Sequence, residues 1–368
     1  MNRVEEVEAK LDRVRTWLGS RSLDGVVLGS QTGFAWITAG GDNHVALGDA
    51  AGVASVLVTP GGAWLLSDNI EGPRMLAEEV AGLPLEPVEW PWVEPGSVAA
   101  AVARLCPGDR VASDTMAHGL PPADGVDRLR RALLPPEVDR YRAVARDTAT
   151  ALEDTCHQAR PGDREREVSA VLALTCRTAG ILDLVNLVAA DDRIASYRHP
   201  VPTAKRVERT LLVAVVGRRH GLHASASRMV TFAPPDDDLV DRHRAVGRVD
   251  ARLILESRPG RTLGQVMAAG MAQYAEEGFA DEWRLHHQGG LTGYAGREVF
   301  ATPESPDVLE ADQVVAWNPS ITRVKSEDTV LVTDGGPEVL TRTGRWPQDD
   351  VDLPSGVISR PALLQRGR

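Results

Sequence analysis

The sequence is poor in cysteine, in long apolar runs and in positive charge. Its three cysteines, Cys106, Cys156 and Cys176, are an odd number without paired spacing. That excludes a disulfide framework and points to reduced thiols in a cytoplasm. No apolar run approaches the roughly 20 residues needed to cross a bilayer. The opening MNRVEEVEAKLDRVRTWLGSR is charged and lacks the apolar centre of a secretory leader. Basic residues number 41 against 52 acidic ones, a formal charge of −11, which argues against a nucleic-acid partner. The expectation is a cytoplasmic chain with neither a membrane nor a nucleic-acid partner.

What is present is ordinary globular sequence. With 368 residues, 43% of them hydrophobic, the chain is long enough for two domains with real cores. The first segment alternates helical and strand patterns. VEEVEAKLDRVRTWLGSR has helical spacing, GVVLGS reads as a short buried strand, and GVASVLVTPGGAWLLSD reads as a hairpin turning at Pro60-Gly61-Gly62. EGPRMLAEEVAGL reads as a helix with Pro73 in its first turn, and DRVASDTM as a further strand. This small α/β domain is expected to span residues 1–134, ending at Pro135-Pro136. A second domain is expected over 135–350, and residues 351–368 as an extended or partly disordered tail. PPDDDLVDRHR, the densest charge cluster, reads as a solvated loop.

The second segment repeats itself. RPGDREREVSAVLALTCRTAGI starts at Arg160 and RPGRTLGQVMAAGMAQYAEEGF at Arg258. Each copy is an Arg-Pro-Gly turn, a helix and a glycine stop, with strands downstream. Two equivalent halves imply a pseudo-two-fold domain with a site between them.

Polar residues gather in YRHPVPT (197–203), GRRHGLHASASRMVTF (217–232), HHQGGLTGYAGRE (286–298) and AWNPSITRVKSEDTVLVTDGGPEVLT (316–341). In order and spacing these blocks resemble the pita-bread superfamily of methionine aminopeptidase, prolidase and creatinase (peptidase family M24-like). EDTVLVTDGGPEVLT resembles the closing strand pair of that superfamily. The resemblance implies an α/β (α+β) fold, with a small creatinase/prolidase-type N-terminal domain and a C-terminal pita-bread domain.

The peptidases of the superfamily hold two metal ions with two aspartates, a histidine and two glutamates. Carried across position by position, the aspartates fall on Ala214 and Ser225, the histidine on His287, and the glutamates on Asn318 and Glu327. Two hard cations need carboxylates to bridge them and offset their charge. With three of the four carboxylates replaced, the resemblance implies no metal and no cofactor. A rebuilt single-ion site of His223, His287 and Glu327 stays open, because residues two apart on a strand share a face.

Creatinase shows what the fold does without metal, using a histidine ahead of a Pro-Val-Thr. RHPVPT matches that loop, so His199 is the expected acid/base. His287 and Glu327 are expected as its catalytic partners. Ser225, His223, Tyr294, Arg297 and Asn318 are expected to bind substrate. His286 is expected to support the loop from outside, and Lys325 and Asp328 to sit on the opposite strand face from Glu327. The resemblance also implies a homodimer in which the N-terminal domain, through Trp36 and its neighbours, completes the partner's site. The function read here is metal-independent, creatinase-like chemistry on a C–N bond of a small polar metabolite. A non-catalytic binding protein and a metallopeptidase with a reduced site are the alternatives.

Overall fold

The computed structural model describes residues 1–94, 97–106 and 108–367. It divides into two compact units, Met1–Val138 and Asp139–Arg368. The division falls a few residues beyond 134, because the helix that opens at Pro135 begins in one unit and carries the chain into the other. Among the described residues no helix is long and apolar enough to cross a membrane. Cys106, Cys156 and Cys176 are buried and unpaired.

In the first unit, α1 (Arg3–Arg21) opens on a capping box formed by Asn2 and Glu5. It buries Val7, Leu11, Val14 and Leu18, whose three- and four-residue spacing makes one face. There follow β1 (Gly25–Ser30), α2 (Gln31–Ile37), β2 (Ala51–Val58), β3 (Ala63–Asp68), the short α3 (Gly72–Arg74), β4 (Glu86–Trp90), α4 (Ser97–Leu105) and β5 (Val111–Ser113). The sheet runs β4-β3-β2-β1-β5. β2 and β3 form the expected hairpin, closed by Thr59 N–H donating to Gly62 O at 2.9 Å. Trp36 does not behave as expected. It is 1% exposed within α2, and a side chain enclosed by its own chain is not presented to a neighbour.

The second unit displays the repeat. Its first half is α5 (Pro135–Gln158), α6 (Glu165–Thr178), β6 (Leu182–Ala190), the single-turn α7 (Asp192–Ser196), β7 (Thr210–Arg219) and β8 (Leu222–Thr231). The second half begins with α8 (Asp237–Glu256), α9 (Leu263–Glu276), β9 (Gly289–Thr292) and β10 (Val299–Phe300). It continues through β11 (Val314–Trp317), β12 (Ser320–Ile321), β13 (Val324–Lys325), β14 (Asp328–Leu331) and β15 (Glu338–Val339). The Arg-Pro-Gly turns are equivalent in detail. Gly162 and Gly260 have φ of +96° and +86°, a region that favours glycine. Each donates its N–H over 2.8 Å, to Val207 O and Leu309 O respectively. The sheets run β18-β8-β7-β6, with β18 being Leu364–Gln365, and β10-β9-β11-β14-β15. They are joined where Ser227 N–H donates to Glu327 O at 3.1 Å and His223 N–H to Gly293 O at 2.9 Å. Residues of both halves, among them Leu212, Met229, Leu253, Val315 and Val330, share one apolar core.

Two segments depart from the sequence reading. PPDDDLVDRHR is the start of α8 and not a loop. Asp236 caps it, accepting from Leu239 N–H at 2.8 Å, and Asp237 and Asp238 lie in the first turn, where negative charge complements the helix dipole. The expected tail forms a hairpin of β16 (Gln348–Leu353) and β17 (Gly356–Pro361), then β18 (Leu364–Gln365) alongside β8. Arg360 anchors it, pairing with both Asp250 of α8 and Asp328 of β14 while 2% exposed. A buried cation between two buried carboxylates holds this segment in place.

Candidate active site

The site lies in the second unit, in a cavity of about 430 Å³ whose lining includes His199, His223, His287, Arg297, Asn318, Lys325 and Glu327. Leu184, Leu187, Val215 and Phe300 supply apolar surface. Ala214 lines it with a methyl group.

His199 stands in the loop after α7, and one carboxylate ties that loop down at both ends. Glu165, buried at the start of α6, accepts from Ala190 N–H at 2.9 Å, from Thr203 N–H at 2.8 Å and from the Thr203 hydroxyl at 2.6 Å, and pairs with Arg193. Burial alone would raise its pKa, but these hydrogen bonds outweigh burial and hold it below the usual carboxylate value. Next to His199, Arg198 donates to Glu282 at 2.6 Å and to Thr322 at 2.9 Å. That clamps the loop to the turn preceding His286.

His286 does not line the cavity, as expected, but it meets a ring that does. Its Nε2 lies 3.0 Å from Nε2 of His199, and its Nδ1 is 3.5 Å from the Ser320 hydroxyl. The rings of His199, His286 and His287 have centroids 4.5 to 5.6 Å apart. His287 packs edge-on to Phe300 at 5.0 Å, and its Nδ1 is buried without a hydrogen-bond partner. All three rings are driven toward the neutral form. Burial followed by the Lys325 charge takes His286 down to about 2. Burial followed by Arg297 takes His287 to about 4. Burial and Lys325 lower His199 against the opposing pull of Glu327.

Facing the histidines is Glu327, held between two cations. Lys325 Nζ is 2.9 Å from Oε2 and Arg297 Nη2 is 3.6 Å from Oε1, all three side chains nearly buried. Lys325 is therefore part of the pocket, contrary to the expectation of an opposite face. Residues two apart share a face in extended chain, and Lys325 and Glu327 are two apart. Asp328 does point away, into the Arg228 and Arg360 ion pairs. Ser225 does not line the cavity. It is buried behind Arg297, its hydroxyl 3.4 Å from Nη1, and so positions that side chain instead of meeting a ligand. Asn318 lines the cavity with its Oδ1 buried and without a partner.

Tyr294 is fully buried and is not among the lining residues, so it is not a substrate contact. His223 lines the wall 7% exposed, its ring against Gly293 O at 3.3 Å. It does not gather with His287 and Glu327 as a ligand set. Among the described residues, the group near enough to hold an ion is His199, His286 and His287. Gly289 and Gly290, at φ of +110° and +145°, serve the sheet. A Cβ there would sit 2.0 Å from Ala316 O and 2.1 Å from Val299 O, so neighbouring strands, and not a ligand, demand glycine.

The sequence pattern of metallopeptidase family M24 matches residues 139–334, more than half of the chain. The chain belongs to metallopeptidase family M24. It is 26% identical over 194 residues to an Xaa-Pro dipeptidase of Pyrococcus furiosus, covering 50% of this chain and 55% of that protein. It therefore spans little more than half the length of that curated relative. An Xaa-Pro dipeptidase from Bacillus anthracis superposes with a TM-score of 0.79 at 21% identity, covering 98% of this chain and 100% of that one. The N-terminal domain of the FACT complex subunit SPT16 from chickpea superposes at 0.69 with 12% identity, over 93% and 97%. At these identities the structural likeness establishes the fold, which is the pita-bread fold with its N-terminal domain.

The family name implies a metal centre, for which the cavity supplies few donors. Two divalent ions held close together need several bridging carboxylates. The cavity lining holds one carboxylate, Glu327, and both its oxygens already face side-chain cations. Ala214 offers no donor, Asn318 a neutral amide, and Ser225 is engaged behind Arg297. These residues do not fit a pair of ions in the M24 manner.

Glu165, Arg198 and Glu282 escaped the sequence reading, and Lys325 was assigned to the wrong strand face. Lys325 had a signal, its spacing from Glu327. Arg198 and Glu282 are 84 residues apart, and nothing local links them.

Proposed function

We infer that this M24 protein hydrolyses the C–N bond of a small amide bearing a free carboxylate, a dipeptide-like compound, using histidine acid/base chemistry instead of paired ions. The observation that carries this reading is the Lys325–Glu327–Arg297 cluster. Two cations around one carboxylate leave the wall with a net positive charge, suited to a substrate carboxylate. A guanidinium-bearing substrate is disfavoured, since Glu327 is already paired. The apolar wall of Leu187, Val215 and Phe300 accommodates an aliphatic or pyrrolidine side. The Xaa-Pro dipeptidase relatives agree with that class.

In the reaction, the oxygen of water adds to the amide carbonyl carbon and its proton passes to His199. The resulting imidazolium donates from Nε2 to Nε2 of neutral His286, 3.0 Å away, whose Nδ1–H points to Ser320. The proton then returns to the departing amine as the C–N bond breaks, giving a carboxylic acid and an amine. Burial keeps His286 uncharged, so it accepts this hydrogen bond while the proton stays on His199.

The test is a panel of dipeptides, Xaa-Pro among them, each paired with its C-terminal amide and assayed with and without a chelator. Hydrolysis is expected for the free acids, lost on amidation and in His199→Ala, and unaffected by the chelator. Ligands that bind and come off unchanged, with no substrate turned over, would identify a binding protein and end this reading.

A further inference from the structure

The geometry points to a single-ion site for a zinc-class cation formed by His199, His286 and His287, sharing only His287 with the paired carboxylate centre that the family resemblance implies. One ligand nitrogen from each ring lies within 4.8 Å of the others, and the His199 and His286 Nε2 atoms are 3.0 Å apart. Tetrahedral zinc with Zn–N bonds of about 2.0–2.1 Å places its ligand nitrogens roughly 3.3 Å apart. One edge of the site is thus already near length, and modest rotation of the third ring closes the triangle.

The rings come from two distant segments that the fold has bound together. Glu165 pins the His199 loop, and the Arg198–Glu282 pair ties it to the turn that leads into His286. His199 and His287 line the cavity, so the fourth coordination position opens toward it. Three neutral imidazoles select borderline ions such as Zn²⁺, Ni²⁺ or Cu²⁺ and discriminate against Ca²⁺ and Mg²⁺, which want oxygen. The His286 ring has the Ser320 hydroxyl behind Nδ1, the kind of outer partner that orients a ligating histidine.

An ion on these nitrogens and a proton shared between His199 and His286 exclude each other. Zinc-class ions therefore compete with proton transfer and lower turnover. Only this consequence rests on the function proposed above; the site itself does not.

The experiment is titration of Zn²⁺ into the metal-stripped full-length chain against a chromophoric chelator, with folding monitored by circular dichroism. One Zn²⁺ per chain is expected, bound roughly 100-fold more weakly in His286→Asn and in His199→Ala, and unaltered by excess Ca²⁺ or Mg²⁺. His223→Asn should bind zinc as the wild type does. His199 is exposed, so its variant keeps the test valid if His286→Asn does not fold. No zinc binding, or equal binding by wild type and both ligand variants, overturns the site. Dipeptide hydrolysis is then followed with zinc bound. Inhibition reversed by chelator supports both conclusions. Activation by bound zinc keeps the site and overturns the metal-free reaction, and zinc-free turnover with no zinc binding does the reverse.

Discussion

Lys325 Nζ lies 2.9 Å from Oε2 of Glu327, with both side chains 5–6% exposed. This contact places a lysine in the pocket of a metallopeptidase relative and sets the charge that a ligand meets. Removing one member of a buried pair strands the other, which costs about 3–5 kcal/mol, whereas replacing both costs far less. Lys325→Met leaves Glu327 with Arg297 alone, 3.6 Å away, and should lower unfolding free energy by about 3 kcal/mol at most. The double variant Lys325→Met/Glu327→Gln should lose less than the two single variants added together, although it leaves buried Arg297 without its carboxylate. Denaturant titration of the four proteins checks this as a double-mutant cycle. Additive losses would mean that the pair is not coupled.

His199→Ala is expected to reduce kcat by about 10²–10⁴, the usual share of a general acid/base, with no drop in melting temperature, because the ring is exposed. His286→Asn should lose nearly as much without an additive effect in the double variant. Steady-state kinetics on the best dipeptide decides. Multiplying losses would break the relay apart.

Glu165→Gln keeps the shape of the side chain but removes the charge that gathers Arg193, Thr203 and Ala190. The His199 loop should loosen, lowering kcat by roughly tenfold or more while KM changes little, since displacement of a reacting group is felt in the chemical step. A change in KM alone would place the effect on binding and not on His199.

Acid should destabilise the protein through His223. Burial, and then the Arg218 charge, lower its pKa from 6.5 to about 4. Unfolded, the ring takes a proton below pH 6.5; folded, it resists until about pH 4. Its contribution is fully present above pH 6.5 and is lost progressively from pH 6.5 down to 4, by about 3 kcal/mol at most. His223→Gln should show a shallower fall in melting temperature over that window. Parallel curves for the two proteins would rule His223 out as a source of acid sensitivity.

Arg360→Met should be among the most damaging single changes, about 3–5 kcal/mol, because it leaves Asp250 buried without its cation and Asp328 with Arg228 alone. Thermal unfolding measures the loss. A neutral outcome would show that the C-terminal hairpin is not held by this cluster.

The legible parts of the structure were those written in local pattern. The RPG turns, their glycines at positive φ and the helices behind them recur in sequence and in space because backbone geometry repeats when the same turn residues repeat. α1 announced itself through its capping box and apolar spacing. His199, His287, Arg297, Asn318 and Glu327 reach one cavity, as the resemblance implied. Ser225 and Tyr294 do not line it, and Trp36 is enclosed in α2. One acidic run was misread, since a cluster of aspartates suits a solvated loop and a helix N-terminus equally.

By itself the sequence determined the two-unit order, the repeated half, the family and most of the pocket's polar residues, because these follow from short-range periodicity and motif spacing. Only the tertiary structure decided what those residues do to one another. It brought His286 to within 3.0 Å of a histidine 87 positions away. It set Lys325 and Arg297 around Glu327, and it closed a charged tail onto α8 through Arg360. Contacts between distant segments carry no local signature, and the sign and strength of a charge depend on the burial and neighbours that folding supplies.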